Sequence, residues 1–452
     1  MGCPAIQMAF PPPSVRQRGD HQYIQQPAHE HQRVYVCRQT DEYQAGCQYK
    51  PVNAITEIRK SENNLPAPIT GLYSHFRIFI QTDTMKIYCY ILCVLLCGSC
   101  GTRPDKHPNT GRVITDALQR EVVLPDSIQR IVCIRASAIR LVTYAGGAPF
   151  ICGVEEQETR DNCFTHLFAH PELRQKPIIG PSMGGDPELI MAARPDVIFM
   201  STTTAGDADA LQQRTGIPVF TIEYGDIGRN RQTFYNSLRS IGEVLGTTRQ
   251  VDSLIRYTDR QIAELGQRAQ SSGKSPRIYV GGISYKGQKG ITSTDPYYAA
   301  FDFLKTDNVA SVIDSAYISP ITGTYIDWEQ LADWNPQVIF VDTDGWPLVQ
   351  EDFKTRKSLN RLLTAYRDRQ IYTLWPYNNN HTNFEVMLIN AWNAGKVLFP
   401  EQFTDIDVTD KANEILTMFV GSPVADSLVR NWGDYRNVFG TEKNTLNDMT
   451  DL

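Results

Sequence analysis

The sequence has 452 residues, 41% of them hydrophobic and 21% charged, with a formal net charge of −6. This balance suits a globular body and leaves no basic footprint, which excludes DNA and RNA as principal partners. Beyond Cys100 only Cys133, Cys152 and Cys163 remain. A dense disulfide scaffold is therefore excluded, and at most one internal bridge is left, whose pairing the spacing does not choose.

Residues 1–84 carry Gln, His and other polar residues without a sustained helical or strand period, so they build no core. They are expected to be missing from the mature protein, either as an over-long start or as an extension discarded together with residues 85–99. MKIYCYILCVLLCGSC, residues 85–100, joins a lysine to an apolar run and then to small residues. It has the three parts of an export leader and is too short to span a bilayer. LCGSC at its end resembles the lipobox of bacterial lipoproteins, with Cys97 where that pattern usually has leucine. The resemblance implies a signal peptide over 85–99, lipidation at Cys100, and an exported protein anchored to a bacterial membrane. The polar, Gly- and Pro-containing stretch 100–112 reads as a flexible tether.

The remaining body, about 350 residues, is long enough for two ordinary domains. Apolar runs at 130–134, 177–180, 196–200 and 218–222 predict the strands of a first α/β lobe over 113–247. Val251, Leu254, Ile255, Thr258, Ile262 and Leu265 recur at helical spacing and predict a long helix over 248–272. Runs at 277–282, 337–342 and 370–375 predict a second α/β lobe over 273–441, followed by a polar tail at 442–452. The fold class is thus two Rossmann-like lobes with mostly parallel sheets, joined by one bridging helix. An internal repeat supports this: DPELIMAARPDVIFM begins at Asp186 and DWEQLADWNPQVIFV at Asp327. Each copy reads as an Asp-capped helix, a proline turn and a buried strand.

Ligands of parallel α/β sheets bind beyond the carboxyl ends of the strands. Loops there contribute Arg135, Ser182, Met183, Thr203 and Tyr224 from the first lobe, and Tyr285, Tyr298, Trp346, Tyr377 and His381 from the second. Aromatic faces with polar handles and an arginine fork suit a bulky, negatively charged ligand. Thr382-Asn383-Phe384-Glu385 has the form of a capping box, which starts a helix at Thr382 and leaves His381 at a strand mouth, open to a metal within a ligand. Cys163, His166 and His170 form a second cluster, read as helix packing because a fourth zinc ligand is lacking.

The leader, the strand-loop RIVCIRASAIRLVTYAGG, the repeats, the bridging helix and the late segment WPYNNNHTNFEVMLINAWNAGKVLFPEQF together resemble solute-binding proteins of ABC importers, in the iron-complex and cobalamin group. The resemblance covers about Val113 to Phe439. It implies a monomeric receptor without enzymatic activity or intrinsic cofactor. The receptor would bind a metal chelate such as a ferric siderophore, haem or corrinoid, containing iron or another transition metal, and deliver it to a permease dimer with its ATPase. It also implies that Glu188 and Glu329, at matching places in the two repeats, dock on the permease. The competing classes are a chelatase-like tetrapyrrole enzyme and a surface scavenger of haem that works without a permease. GGISYKGQKG, which begins at Gly281, lacks both the second glycine of G-x-S-x-G and the G-K-[ST] ending of a phosphate loop.

Overall fold

A computed structural model describes residues 111–160, 164–319, 323–378 and 382–440. The leader, Cys100, Cys163, His381 and the tail from 442 on lie outside the described residues. The chain opens with an antiparallel ribbon, β1 (Arg112–Thr115) against β2 (Glu121–Leu124). A parallel sheet comes next, made of β3 (Ile131–Ile134), β4 (Ile151–Gly153), β5 (Val197–Ser201) and β6 (Val219–Ile222) in the order β4-β3-β5-β6. After the bridge come β7 (Arg277–Gly281), β8 (Ser293–Thr294), β9 (Asp307–Asn308), β10 (Thr324–Tyr325), β11 (Val338–Asp342) and β12 (Ile371–Leu374). Of these, β12-β11-β7-β9 form a second parallel sheet, and β8 pairs with β10 antiparallel.

Every residue of β3, β5, β6 and β11 is buried, as expected of parallel strands covered on both faces. The two sheets share one winding. In the first, the chain steps from β3 to β4 on one side and then returns to β5 on the other; in the second, β7, β9 and β11 do the same. The winding therefore reverses between β3 and β5 and again between β7 and β11, and such reversals open a crevice at the strand ends.

The repeat folds as the same unit twice. Asp186 caps the helix Pro187–Ala193 by accepting from the amides of Glu188 and Leu189, and Asp327 caps Trp328–Trp334 by accepting from that of Gln330. Both helices leave through a left-handed residue, Arg194 at φ 49° and Asn335 at φ 44°, and enter β5 and β11.

A 24-residue helix, Thr248–Ser271, connects the two sheets and buries Val251, Leu254, Ile255, Tyr257, Thr258 and Leu265. Gly266 is buried inside it, where an added Cβ would stand 3.3 Å from the carbonyl of Phe303, so the neighbouring helix Ala299–Phe303 sets the need for a small residue. Tyr257 Oη donates to Glu414 and Arg268 pairs with Asp405 at 2.6 Å, tying the helix to the end of the chain. The predicted strand at 177–180 does not form; Ile178 makes a single bridge to Val154, and the edge position belongs to β4. Among the described residues no helix is long and apolar enough to cross a membrane.

Candidate functional site

Arg135 comes directly after β3 and adopts φ 65°, a left-handed conformation that turns its side chain across the winding reversal. Its guanidinium donates to the carbonyl of Thr202, the residue after β5, at 3.1 Å and pairs with Asp207 at 3.5 Å. Beside it is a cavity of about 230 Å³ lined by Ile134, Arg135, Gly184, Gly185, Asp207 and Arg214. Beyond β4, Glu155 is 3% exposed and accepts from the amide of Arg135 at 3.0 Å. Burial pushes its carboxyl up to about 7, opposed by backbone hydrogen bonds from Arg135, Met183 and Gly184 and assisted by the charge of Glu158.

The second reversal is lined with hydroxyls. Ser284 in the loop after β7 and Thr343 after β11 each carry a buried side-chain oxygen that makes no hydrogen bond among the described residues. A buried hydroxyl without a partner is costly, so these two oxygens are places where a bound water or ligand oxygen would be stabilised. Asn378 closes the loop by donating to the Ser284 carbonyl at 2.8 Å. Tyr377 Oη donates to Asp295 at 2.6 Å, and burial pushes the Asp295 carboxyl above its ordinary range against that bond.

Between these two faces runs a polar seam. Arg140, on the helix Ala138–Tyr144, is 0% exposed and contacts Ser137 Oγ, Tyr224 Oη and, at 3.3 Å, the carbonyl of Thr382. Burial opposes its charge, but Tyr224, Tyr144 and Glu385 outweigh that effect and hold the guanidinium protonated. Tyr224 Oη reaches the same Thr382 carbonyl at 2.7 Å. Alongside, the buried carboxylate of Glu385 accepts from the hydroxyls of Tyr144 and Thr165. Arg229 stacks on the ring of Tyr297, 3.4 Å from its centroid.

The expected site residues divide. Arg135, Tyr224, Thr203 and the Ser182-Met183 loop line the strand ends of the first lobe, where Met183 is 49% exposed and Ser182 Oγ is buried without a partner among the described residues. Tyr285 is half-buried beside Ser284. Tyr298 is a packing residue: it is 1% exposed, its ring is covered by Phe301 and Tyr377, and its hydroxyl accepts from Asn390. Tyr377 is 5% exposed and engaged by Asp295, while Trp346 begins the helix Trp346–Thr355 and packs on the second core. Neither offers a free aromatic face of the kind expected.

The capping box at Thr382 does not form either. The helix starts at Phe384 with Asn383 as its cap residue, because the first lobe draws Glu385 to Tyr144 and Thr165 and draws the Thr382 carbonyl to Tyr224. His166 pairs with Glu158 at 2.8 Å and His170 bonds the carbonyl of Val420, so the two histidines face different partners. Cys133 and Cys152 are free thiols, and no group of three or more His, Cys, Asp or Glu among the described residues is placed to hold a metal ion. Arg140, Thr343, Ser284 and Glu155 are the residues that sequence reasoning missed. A larger hollow of about 370 Å³, between Tyr372, Trp375, Lys396 and Tyr435, lies behind edge strand β12 and away from both reversals.

Comparison with known proteins gives this geometry a family. The family described as periplasmic binding protein matches residues 154–377, from the end of the first sheet's β4 to the seam. Over that stretch, just under half of the chain, it is similar to the periplasmic binding proteins. The molybdate-binding protein MolA of Haemophilus influenzae is 22% identical over 330 residues, which is 68% of this chain and 90% of that protein. Its solved structure with molybdate bound superposes with a TM-score of 0.52, covering 69% of this chain and 98% of that one. An ABC transporter solute-binding protein from Sulfurospirillum deleyianum gives a TM-score of 0.53 at 18% identity, covering 71% and 98% of the two chains. A periplasmic solute-binding protein from Veillonella parvula gives 0.54 at 17% identity, with 71% and 96% covered. The matched family is one of exported solute-binding proteins and not of enzymes. The chelatase alternative is thereby set aside.

Proposed function

We propose that this protein receives an anionic transition-metal species and that the ligand is a compact oxyanion in preference to a bulky chelate. The observation that carries the compact reading is the seam, where Arg140 and Tyr224 both bond the carbonyl of Thr382. These contacts draw the two lobes together, which favours a ligand smaller than the ferric siderophore, haem or corrinoid expected from the sequence. A small oxyanion matches the cavity of about 230 Å³ beside Arg135.

The donors suit such a ligand. Guanidinium, backbone amides and hydroxyls are the groups that bind oxyanions by charge-assisted hydrogen bonds. Two of the tyrosines that a planar aromatic ligand would need, Tyr298 and Tyr377, are buried in packing. A metal inside the ligand is then held through its own oxygens, so protein side chains need not coordinate it. The name of the Haemophilus relative, molybdate-binding protein, supports the same class.

In this reading Cys100 carries the lipid that holds the receptor at the membrane. Glu188 and Glu329, both exposed in the first turns of the repeat helices, meet the permease. Calorimetric titration of the purified protein with molybdate, tungstate, a ferric catecholate, haem and cobinamide tests the ligand class. Saturable binding of an oxyanion alone supports it, and tight binding of a chelate with no oxyanion response refutes it. Mass spectrometry of the membrane-extracted native protein tests the anchor: a diacylglyceryl mass on Cys100 is expected, and an unmodified chain retaining residues before it would exclude lipidation.

A further inference from the structure

Glu155 is held in an unusual way. Its carboxylate is buried, yet no cation among the described residues pairs with it; it accepts from the backbone amide of Arg135 at 3.0 Å and from Gln157 Nε2 at 3.2 Å, and the amides of Met183 and Gly184, the latter also bonded to the Pro181 carbonyl at 3.3 Å, are close enough to favour its charged form. Arg135 and Met183, on either side of this carboxylate, are non-glycine residues in the left-handed region, at φ 65° and φ 68°. Such backbone is strained and persists only where the surroundings enforce it, and converging amides of this kind form anion-binding concavities. Space is available next to them: an added Cβ on Gly184 would meet nothing within 4 Å, and the cavity of about 230 Å³ is lined by Arg135, Gly184 and Gly185. Ser182 Oγ, in the same loop, is buried without a hydrogen-bond partner among the described residues.

We propose that the amides of Arg135, Met183 and Gly184 are an oxyanion subsite which the Glu155 carboxylate fills in the free protein. A bound oxyanion displaces Glu155, which takes a proton from the buffer as it leaves. This deepens the oxyanion reading and rests on it. The only bond change is proton transfer: a buffer acid loses a proton and a carboxylate oxygen of Glu155 gains it. The displaced side chain cannot stay ionised beside a second anion because like charges at close range suppress ionisation. Among the described residues no neighbouring group relieves it. Glu158 on the adjoining helix adds negative charge and is itself paired with His166, the Arg135 guanidinium is engaged by Thr202 and Asp207, and the neighbouring Cys133 is a free thiol.

The test is calorimetry with sodium molybdate as probe, in two buffers of different ionisation enthalpy. The parent protein is expected to take up close to one proton per molybdate at a pH of about 8, and its affinity to fall about fivefold from pH 7 to pH 8. Glu155→Gln should abolish the uptake and flatten the pH profile, and Glu155→Ala, which leaves the amides open, should bind more tightly than the parent. Molybdate binding without proton uptake by the parent, or with the same uptake in Glu155→Gln, overturns this proposal and leaves the oxyanion reading intact. Failure of the parent to bind either molybdate or tungstate at any pH from about 5 to 8 overturns both.

Discussion

Tyr224 Oη donates a 2.7 Å hydrogen bond to the carbonyl of Thr382, joining the loop after β6 to the entrance of the helix Phe384–Leu398. Arg140 bonds the same carbonyl and Glu385 gathers two hydroxyls beside it, so the lobes meet through polar groups that are each satisfied by the other side. Tyr224→Phe should cost about 1 kcal/mol, since Arg140 still serves the carbonyl. Glu385→Ala strands two buried hydroxyls and should cost at least about 2 kcal/mol. Urea denaturation monitored by fluorescence measures both; equal, negligible shifts would mean that the seam does not hold the lobes.

The hydroxyls of Ser284 and Thr343 separate function from stability. Removing a buried hydroxyl that has no partner should leave the fold as stable as before or slightly more so, because its desolvation is no longer uncompensated. Ser284→Ala with Thr343→Val is therefore expected to keep or raise the melting temperature, and any contact of the second lobe with the oxyanion held beside Arg135 is read from a loss of affinity in the same variant. Unchanged affinity in the double variant would remove the second lobe's strand ends from the site.

Much of the fold is legible in the sequence for a physical reason. Strands buried on both faces read as unbroken apolar runs, and the Asp-capped helices before β5 and β11 carry their own start and stop signals, so both repeat units are recognisable from residues alone. The strand ends are less so. Arg140 sits on a short helix where an arginine ordinarily points to solvent, and long-range partners, Phe164, Tyr224 and the Thr382 carbonyl, enclose it instead. Ser284 and Thr343 carry no pattern in isolation, although Thr343 comes after β11 as Thr202 comes after β5, and that correspondence could have singled it out. Glu385 has the sequence of a capping residue and is taken instead by a long-range partner, a case of tertiary contacts overriding a local motif.

Glu155 also predicts a pH dependence of stability. Its carboxyl titrates near 7 in the folded chain against an ordinary value of 4.5. Because the folded value is raised, folding favours the protonated form. That stabilisation is complete below about 4.5 and is lost as pH rises toward 7, amounting to at most about 3 kcal/mol. Glu155→Gln lacks this slope. Denaturation midpoints of parent and variant should thus diverge from pH 5 to pH 8 in the variant's favour, to a degree that parallel curves would disprove.

Glu188 and Glu329 occupy equivalent first turns, where an acidic side chain gains about 0.3–1 kcal/mol from the helix dipole alone. Docking must therefore be read from coupling. The double variant Glu188→Arg with Glu329→Arg is expected to bind ligand normally and to lose ligand-stimulated ATP hydrolysis by the reconstituted transporter, since charge complementarity governs encounter more than ligand affinity. A slightly lowered melting temperature with intact stimulation would leave both residues as helix-terminal charges only.

If Arg135 and its neighbouring amides hold a compact metal oxyanion, a molybdate titration of the parent protein beside Arg135→Ala must separate the two. One saturable site is expected in the parent and at least a tenfold loss in the variant, about 1.4 kcal/mol of a charge-assisted contact. Equal molybdate affinity in the two proteins, or no binding by the parent alongside tight binding of haem or a ferric siderophore, would show that the oxyanion site is wrongly assigned.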